Sequence, residues 1–175
     1  APYTPAGPSA GESGEPGRPG SASPAAQVIG PSVCAECHPA THHAWQATAH
    51  HDTFREMHRQ ASARRIAQRL NVRRIKDNDL CARCHYTEQR TPDGSARLIA
   101  GVSCESCHGP ASEWNRIHSD PTNPNRLEDA ERAGLIRPSN LHALASACYA
   151  CHTVPDERLL TRRKHTAGRA LESLG

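Results

Sequence analysis

Cys-x-x-Cys-His occurs four times in this chain, at Cys34–His38, Cys81–His85, Cys104–His108 and Cys148–His152. Two thiols at this spacing can add to the two vinyl groups of one porphyrin. The histidine that follows at once then lies under the iron, so each copy is an attachment signature for haem c. The chain has eight cysteines and all eight fall inside these motifs, leaving none for a disulfide or a reactive thiol. The pattern predicts four covalently attached haem c groups. Their thioether positions are Cys34, Cys37, Cys81, Cys84, Cys104, Cys107, Cys148 and Cys151, and His38, His85, His108 and His152 are the proximal iron ligands. Paired Cys plus His also ligate zinc. Zinc modules, however, set a second ligand pair well apart from the first, whereas here every pair is followed directly by His.

Histidine is in surplus. Of twelve, eight lie outside the motifs: His42, His43, His50, His51, His58, His118, His142 and His165. Four six-coordinate irons need four more ligands, which this set can supply with some to spare. His50 and His51 are adjacent, so on a helix they point about 100° apart and one can serve each of two haems. His58 lies two turns beyond His51 on the same face. His42 and His43 read as surface or propionate partners, His142 as a propionate contact or helix cap, and Met57, the single methionine, as packing rather than a thioether ligand.

The elements that must position these groups are sparse. At 175 residues, with 36% hydrophobic and 3% aromatic residues, the polypeptide would bury a poor core by itself. Four large apolar porphyrins change that, and the chain without them is expected not to fold stably. The expected fold class is mainly α with little regular secondary structure, a multihaem cytochrome c wrapped around its haems, with one small β-hairpin. A helix is predicted from Pro39, since Pro suits the first turn. It breaks and resumes near His51 and continues through Ala61–Leu70. The turn Pro92-Asp93-Gly94 between Tyr86 and Ile99 predicts the hairpin. Short helices are expected at Ala111–His118, Leu141–Cys148 and Asp156–Lys164, with loops at Pro121, Pro124 and Pro138.

Residues 1–30 form a Pro/Gly/Ser-rich tail with almost no apolar side chains, expected to be disordered or polyproline-like unless it lies along a partner. Residues 31–175 form the haem domain. The formal charge is +3, and four ferric haems at about −1 each would bring it to about −1. Runs such as Arg64-Arg65, Arg73-Arg74 and Arg162-Arg163-Lys164 are then either propionate partners or solvated helix faces. So few aromatics argue against stacking on nucleic-acid bases. No segment approaches the roughly 20 apolar residues that span a bilayer. A first residue of Ala rather than Met fits a secreted protein with its signal removed. Attachment of haem to these motifs takes place outside the cytoplasmic membrane, so the expected location is the periplasm or the cell surface.

Gly101-Val102-Ser103-Cys104-Glu105-Ser106-Cys107-His108-Gly109-Pro110 resembles the third-haem motif of the cytochrome c554 family, tetrahaem proteins typified by the electron acceptor of hydroxylamine oxidoreductase in ammonia oxidisers. The first motif is similar too, followed by a helix with Trp45 and then Thr48-Ala49-His50. The likeness covers about residues 32–152 and weakens after His152. It implies His50 and His118 as distal ligands, each serving a haem other than its sequence neighbour. By position it implies His165 as a third. The family's namesake leaves its second haem without a sixth ligand, and here His43, His51, His58 and His142 are candidates to close that site, with His51 put forward.

The expected function is electron transfer through closely packed, mostly bis-His haems, in which axial ligands, burial and nearby charge tune the potentials. Redox proteins, and copies of this chain in an assembly, are the expected partners. One alternative is a subunit of a conducting cytochrome filament, with a ligand or tail contacts from neighbouring subunits. The other is reduction of nitric oxide, nitrite or hydroxylamine at one open iron.

Overall fold

A computed structural model of the chain describes residues 26–91 and 93–153. Among these the chain forms nine short α-helices, two 3-10 turns and one hairpin. The mainly helical, loop-rich class expected from the sequence is what the chain adopts. The tail before residue 26, the helix expected at Asp156–Lys164 and His165 lie outside the described residues.

Local chemistry accounts for where the helices start. Helices α1 (Pro31–Ala35) and α2 (Pro39–Gln46) carry Pro in the first turn, where a missing N–H costs nothing. Helix α2 stops at Ala47, and Thr48 begins α3 (Ala49–Glu56) by accepting the His51 amide on its side chain, a standard N-cap. The predicted break therefore falls just before His50 and His51, putting both in the first turn of a new helix. A 3-10 turn, Met57–Arg59, then leads into α4 (Ala61–Arg69).

The second motif lies on α5 (Asp79–His85), capped by Asn78. The hairpin follows directly: β1 (Thr87–Arg90) pairs antiparallel with β2 (Ala96–Ala100), with a bulge between Thr87 and Glu88. The third motif is α6 (Cys104–His108), opened by a capping box in which Ser103 and Ser106 satisfy each other's amides. After it come α7 (Asn115–Ser119), α8 (Arg126–Arg132) and α9 (Leu141–His152), the last capped by Asn140 and carrying the fourth motif at its end.

Two expectations need correction. The helix predicted at Ala111–His118 starts only at Asn115: residues 112–114 form a turn, with the Asn115 amide donating to the Ala111 carbonyl and the Ala111 amide held by Glu105. The helix predicted at Leu141–Cys148 runs on to His152, since the motif itself is helical.

The apolar core is small and split. One cluster packs Ala67, Ile75, Ala82 and Tyr86 around α5, with Phe54, Met57 and Leu98 against it. The other packs Ala111, Trp114, Ala130 and Leu135 around α7 and α8. Among the described residues no large side chain is completely buried, while Leu141 and Tyr149 on α9 stand exposed. Among the described residues no helix is long and apolar enough to cross a membrane.

The segment that opens the third motif ties these pieces together. Val102 donates its amide to the His50 carbonyl at 3.1 Å and accepts the Trp45 indole N–H at 2.8 Å. Buried Thr87, two residues after His85, donates its hydroxyl to the Gly101 carbonyl and accepts the Ser103 amide. Residues 27–30 are bound in as well: Gln27 and Ser112 exchange hydrogen bonds, and Gln89 donates to the Val28 carbonyl.

Candidate haem sites

The four motifs gather along one path. Cys34 and Cys104, from the first and third motifs, lie within thiol hydrogen-bond reach. Donation from Cys34 brings the Cys104 thiol down to about 7, and the same contact with burial pushes Cys34 up. Cys107 of the third motif is close enough to Cys148 of the fourth to feel its charge. Cys151 of the fourth lies beside Cys84 of the second and 4.0 Å from the Arg83 carbonyl, and burial followed by the Cys84 contact pushes it up to about 12. The spatial order is therefore first, third, fourth, second. In a protein loaded with haem these sulfurs are thioethers, so the contacts report proximity.

Two motif histidines each face a histidine from outside the motifs across a gap. The His38 and His118 rings are 6.3 Å apart between centroids and only 21° from parallel. The His50 and His152 rings are 6.1 Å apart at 54°. An imidazole nitrogen binds a first-row metal at about 2.0–2.1 Å, which puts the centroids of two trans rings on one ion about 6 Å apart. Both gaps have that width. Each pairs a motif with a histidine distant in sequence.

Hydrogen bonds fix the orientation of some of these rings. His118 Nδ1 lies 2.6 Å from the Asn115 carbonyl and His108 Nδ1 lies 2.7 Å from the Ile136 carbonyl. Such a bond fixes the tautomer and leaves Nε2 to bind metal. Trp114 meets His118 edge-on at 5.2 Å, and its own indole N–H is buried with no partner among the described residues. Burial, and then His152, lower the pKa of His50, which favours the neutral imidazole that ligation requires. His50 is exposed by area.

The other histidines are placed differently. The His51 ring packs edge-on against Trp45 at 4.8 Å, with Nδ1 3.1 Å from Asp52. His42 contacts Trp45 at 5.3 Å. His58 has a buried Nδ1 without a partner, and burial, with Lys76 next, lowers its pKa. The Lys76 ammonium sits 3.9 Å over the Phe54 ring and 5.5 Å from that of Tyr86, whose hydroxyl donates to the Met57 sulfur. His43 and His142 are exposed. Among the described residues no three His, Cys, Asp or Glu side chains converge closely enough to hold a bare metal ion. Thiols turned toward neighbouring motifs, gaps of iron width and two orphaned buried nitrogens together fit haem c.

Comparison with known proteins agrees. Residues 33–109, from the first motif through the third, match the family of cytochrome c554 and c-prime. This segment is similar to the cytochrome c554 family. A cytochrome c-554 of Nitrosomonas europaea is 26% identical over 133 residues, covering 70% of this chain and 56% of that protein. The chain thus spans little more than half the length of the curated relative it matches. No solved structure matches it. That likeness points to covalent haem c as the cofactor of the matched motifs.

Sequence reasoning missed the pairing of His118 with His38 and of His50 with His152. It also missed Glu105, whose side chain reaches out of the third motif. An acidic residue between two haem cysteines was the available signal.

Proposed function

We propose that the chain is a tetrahaem c-type cytochrome that carries electrons outside the cytoplasmic membrane. Haem c supplies a one-electron ferric–ferrous couple when bound. The residues do the rest. The eight cysteines anchor four groups in the spatial order first, third, fourth, second. His38 with His118, and His152 with His50, would each hold one iron. His165 and His51 are put forward for the two other irons. Ligation that is the same in both oxidation states keeps reorganisation small, as a carrier needs. The observation that carries this reading is the pair of facing imidazoles at iron width.

Among the alternatives, small-molecule reduction requires an open iron with a proton donor beside it, and a filament requires a contact from a second copy. Neither is needed for the carrier. Exposed haem edges would meet redox proteins through modest, transient interfaces.

The ligand assignments make a direct prediction. His118→Ala and His50→Ala are each expected to retain four haems per chain while converting one haem from low-spin to high-spin ferric iron. The converted haem is the one at the first motif for His118→Ala and at the fourth for His50→Ala. Electron paramagnetic resonance of the two oxidised variants is the check. Unchanged low-spin signals in both would remove the ligand roles and the carrier reading built on them.

A further inference from the structure

Three charged residues sit inside the haem motifs: Glu36, Arg83 and Glu105. Glu36 and Arg83 are exposed, whereas Glu105 is 5% exposed. A buried carboxylate is costly unless its oxygens are satisfied, and here they are satisfied by backbone. Oε1 accepts the amides of Ile29 and Ala111, both at 2.9 Å, and Oε2 accepts that of Gly30 at 2.8 Å.

The donors come from two places. Ile29 and Gly30 open α1, the helix that carries Cys34, while Ala111 lies in the loop after His108. The close approach depends on Gly30. Its φ is +97°, and a Cβ there would lie 3.3 Å from Ile99 Cδ1, so a side chain would be both strained and crowded. One side chain from within the third motif therefore holds the start of the first. Helices α1 and α6 pack together there, with the Cys34 and Cys104 sulfurs in contact.

The bonds to Glu105 come from neutral amides, so its negative charge is stabilised without being cancelled by a cation. That charge reaches both motifs: it contributes to raising the Cys34 thiol and opposes the lowering of Cys104. A fixed negative charge in a poorly solvated site favours ferric over ferrous iron, because reduction adds a further negative charge.

We propose that Glu105 is a positioning residue that locks the first and third haem motifs into one unit and, through its buried charge, depresses the reduction potentials at both. This rests on the haem-carrier reading above. The test uses holo-protein and a spectroscopically monitored redox titration. Glu105→Gln keeps the size of the side chain and removes the charge. It is expected to raise two of the four midpoint potentials and leave the other two in place, with four haems still bound. Glu105→Asp keeps the charge and is expected to restore the lower potentials even where its shorter reach costs stability. Four unchanged potentials in Glu105→Gln, or equal shifts in the Gln and Asp variants, would overturn the proposal. Should Glu105→Gln not take up haem, amide exchange in the wild-type holo-protein decides it. The Ile29, Gly30 and Ala111 amides are expected to exchange at least tenfold more slowly than the same amides in an unstructured chain, and exchange at the unstructured rate would overturn the clamp. Fewer than four haems in the wild-type protein would count against the carrier reading instead.

Discussion

Chain produced without haem attachment is expected to have no stable fold. Circular dichroism should show mostly coil with no cooperative thermal transition, and protease should cut it throughout. The loaded protein should melt cooperatively. The reason lies in what is buried. Of the nine buried apolar residues among those described, Ala67, Ala82, Ala100, Ala111 and Ala130 are alanine, leaving Ile75, Tyr86, Trp114 and Leu135 with sizeable side chains. An ordinary domain retains about 5–15 kcal/mol after burial offsets chain entropy, and burying a large aliphatic or aromatic side chain contributes about 1.5–3 kcal/mol. Four such residues in two separate clusters cannot offset the ordering of well over a hundred residues. Anything that binds only the folded chain shifts that balance by mass action, and a covalent apolar plate at each motif would do so without being diluted away. A cooperative transition in the haem-free chain would refute this.

Gly101→Ala is expected to be the most damaging single methyl group in the described structure. A Cβ there would run into the His50 carbonyl oxygen and come within 2.6 Å of the His51 carbonyl and the Thr53 hydroxyl. Two of these three atoms are backbone, so no rotamer change relieves the clash. The cost is expected at or above the upper end of the roughly 1–3 kcal/mol typical of overpacking. The consequence goes beyond stability. The residue that follows, Val102, holds the His50 carbonyl by its amide and Trp45 by its own carbonyl, so pushing the chain away at 101 displaces the start of α3. With it moves His50 from its place opposite His152. The variant should therefore lose thermal stability and gain one high-spin haem at the fourth motif. A destabilised variant whose iron all stays low-spin would separate the packing role of Gly101 from the placement of His50.

Much of this was legible because covalent chemistry demands contiguous residues. Each Cys-x-x-Cys-His must lie in one short stretch, and Pro39 and the Thr48 cap announce their helices locally. The hairpin between Tyr86 and Ile99 was readable from its turn. Other features depend on contacts across dozens of residues. Nothing near His118 indicates that it faces His38 rather than His108; that follows from how α7 sits against the first motif. Helices α5 and α6 were not anticipated, being five to seven residues long and composed largely of the motif itself. The capping box of Ser103 and Ser106 was a readable sign for α6. Helix α8 is so charged that no apolar face betrays it, and only Ala130 is buried. The turn at 112–114 that precedes α7 has no local sign in the sequence, since the contacts that hold Ala111 and Ser112 come from Glu105 and Gln27.

The account stands most directly on a spin-counted electron paramagnetic resonance spectrum of the oxidised holo-protein. It predicts four ferric irons per chain, with low-spin signals from at least the two haems clamped by His38 with His118 and by His152 with His50. Fewer than four irons, or a spectrum that is wholly high-spin, would contradict it.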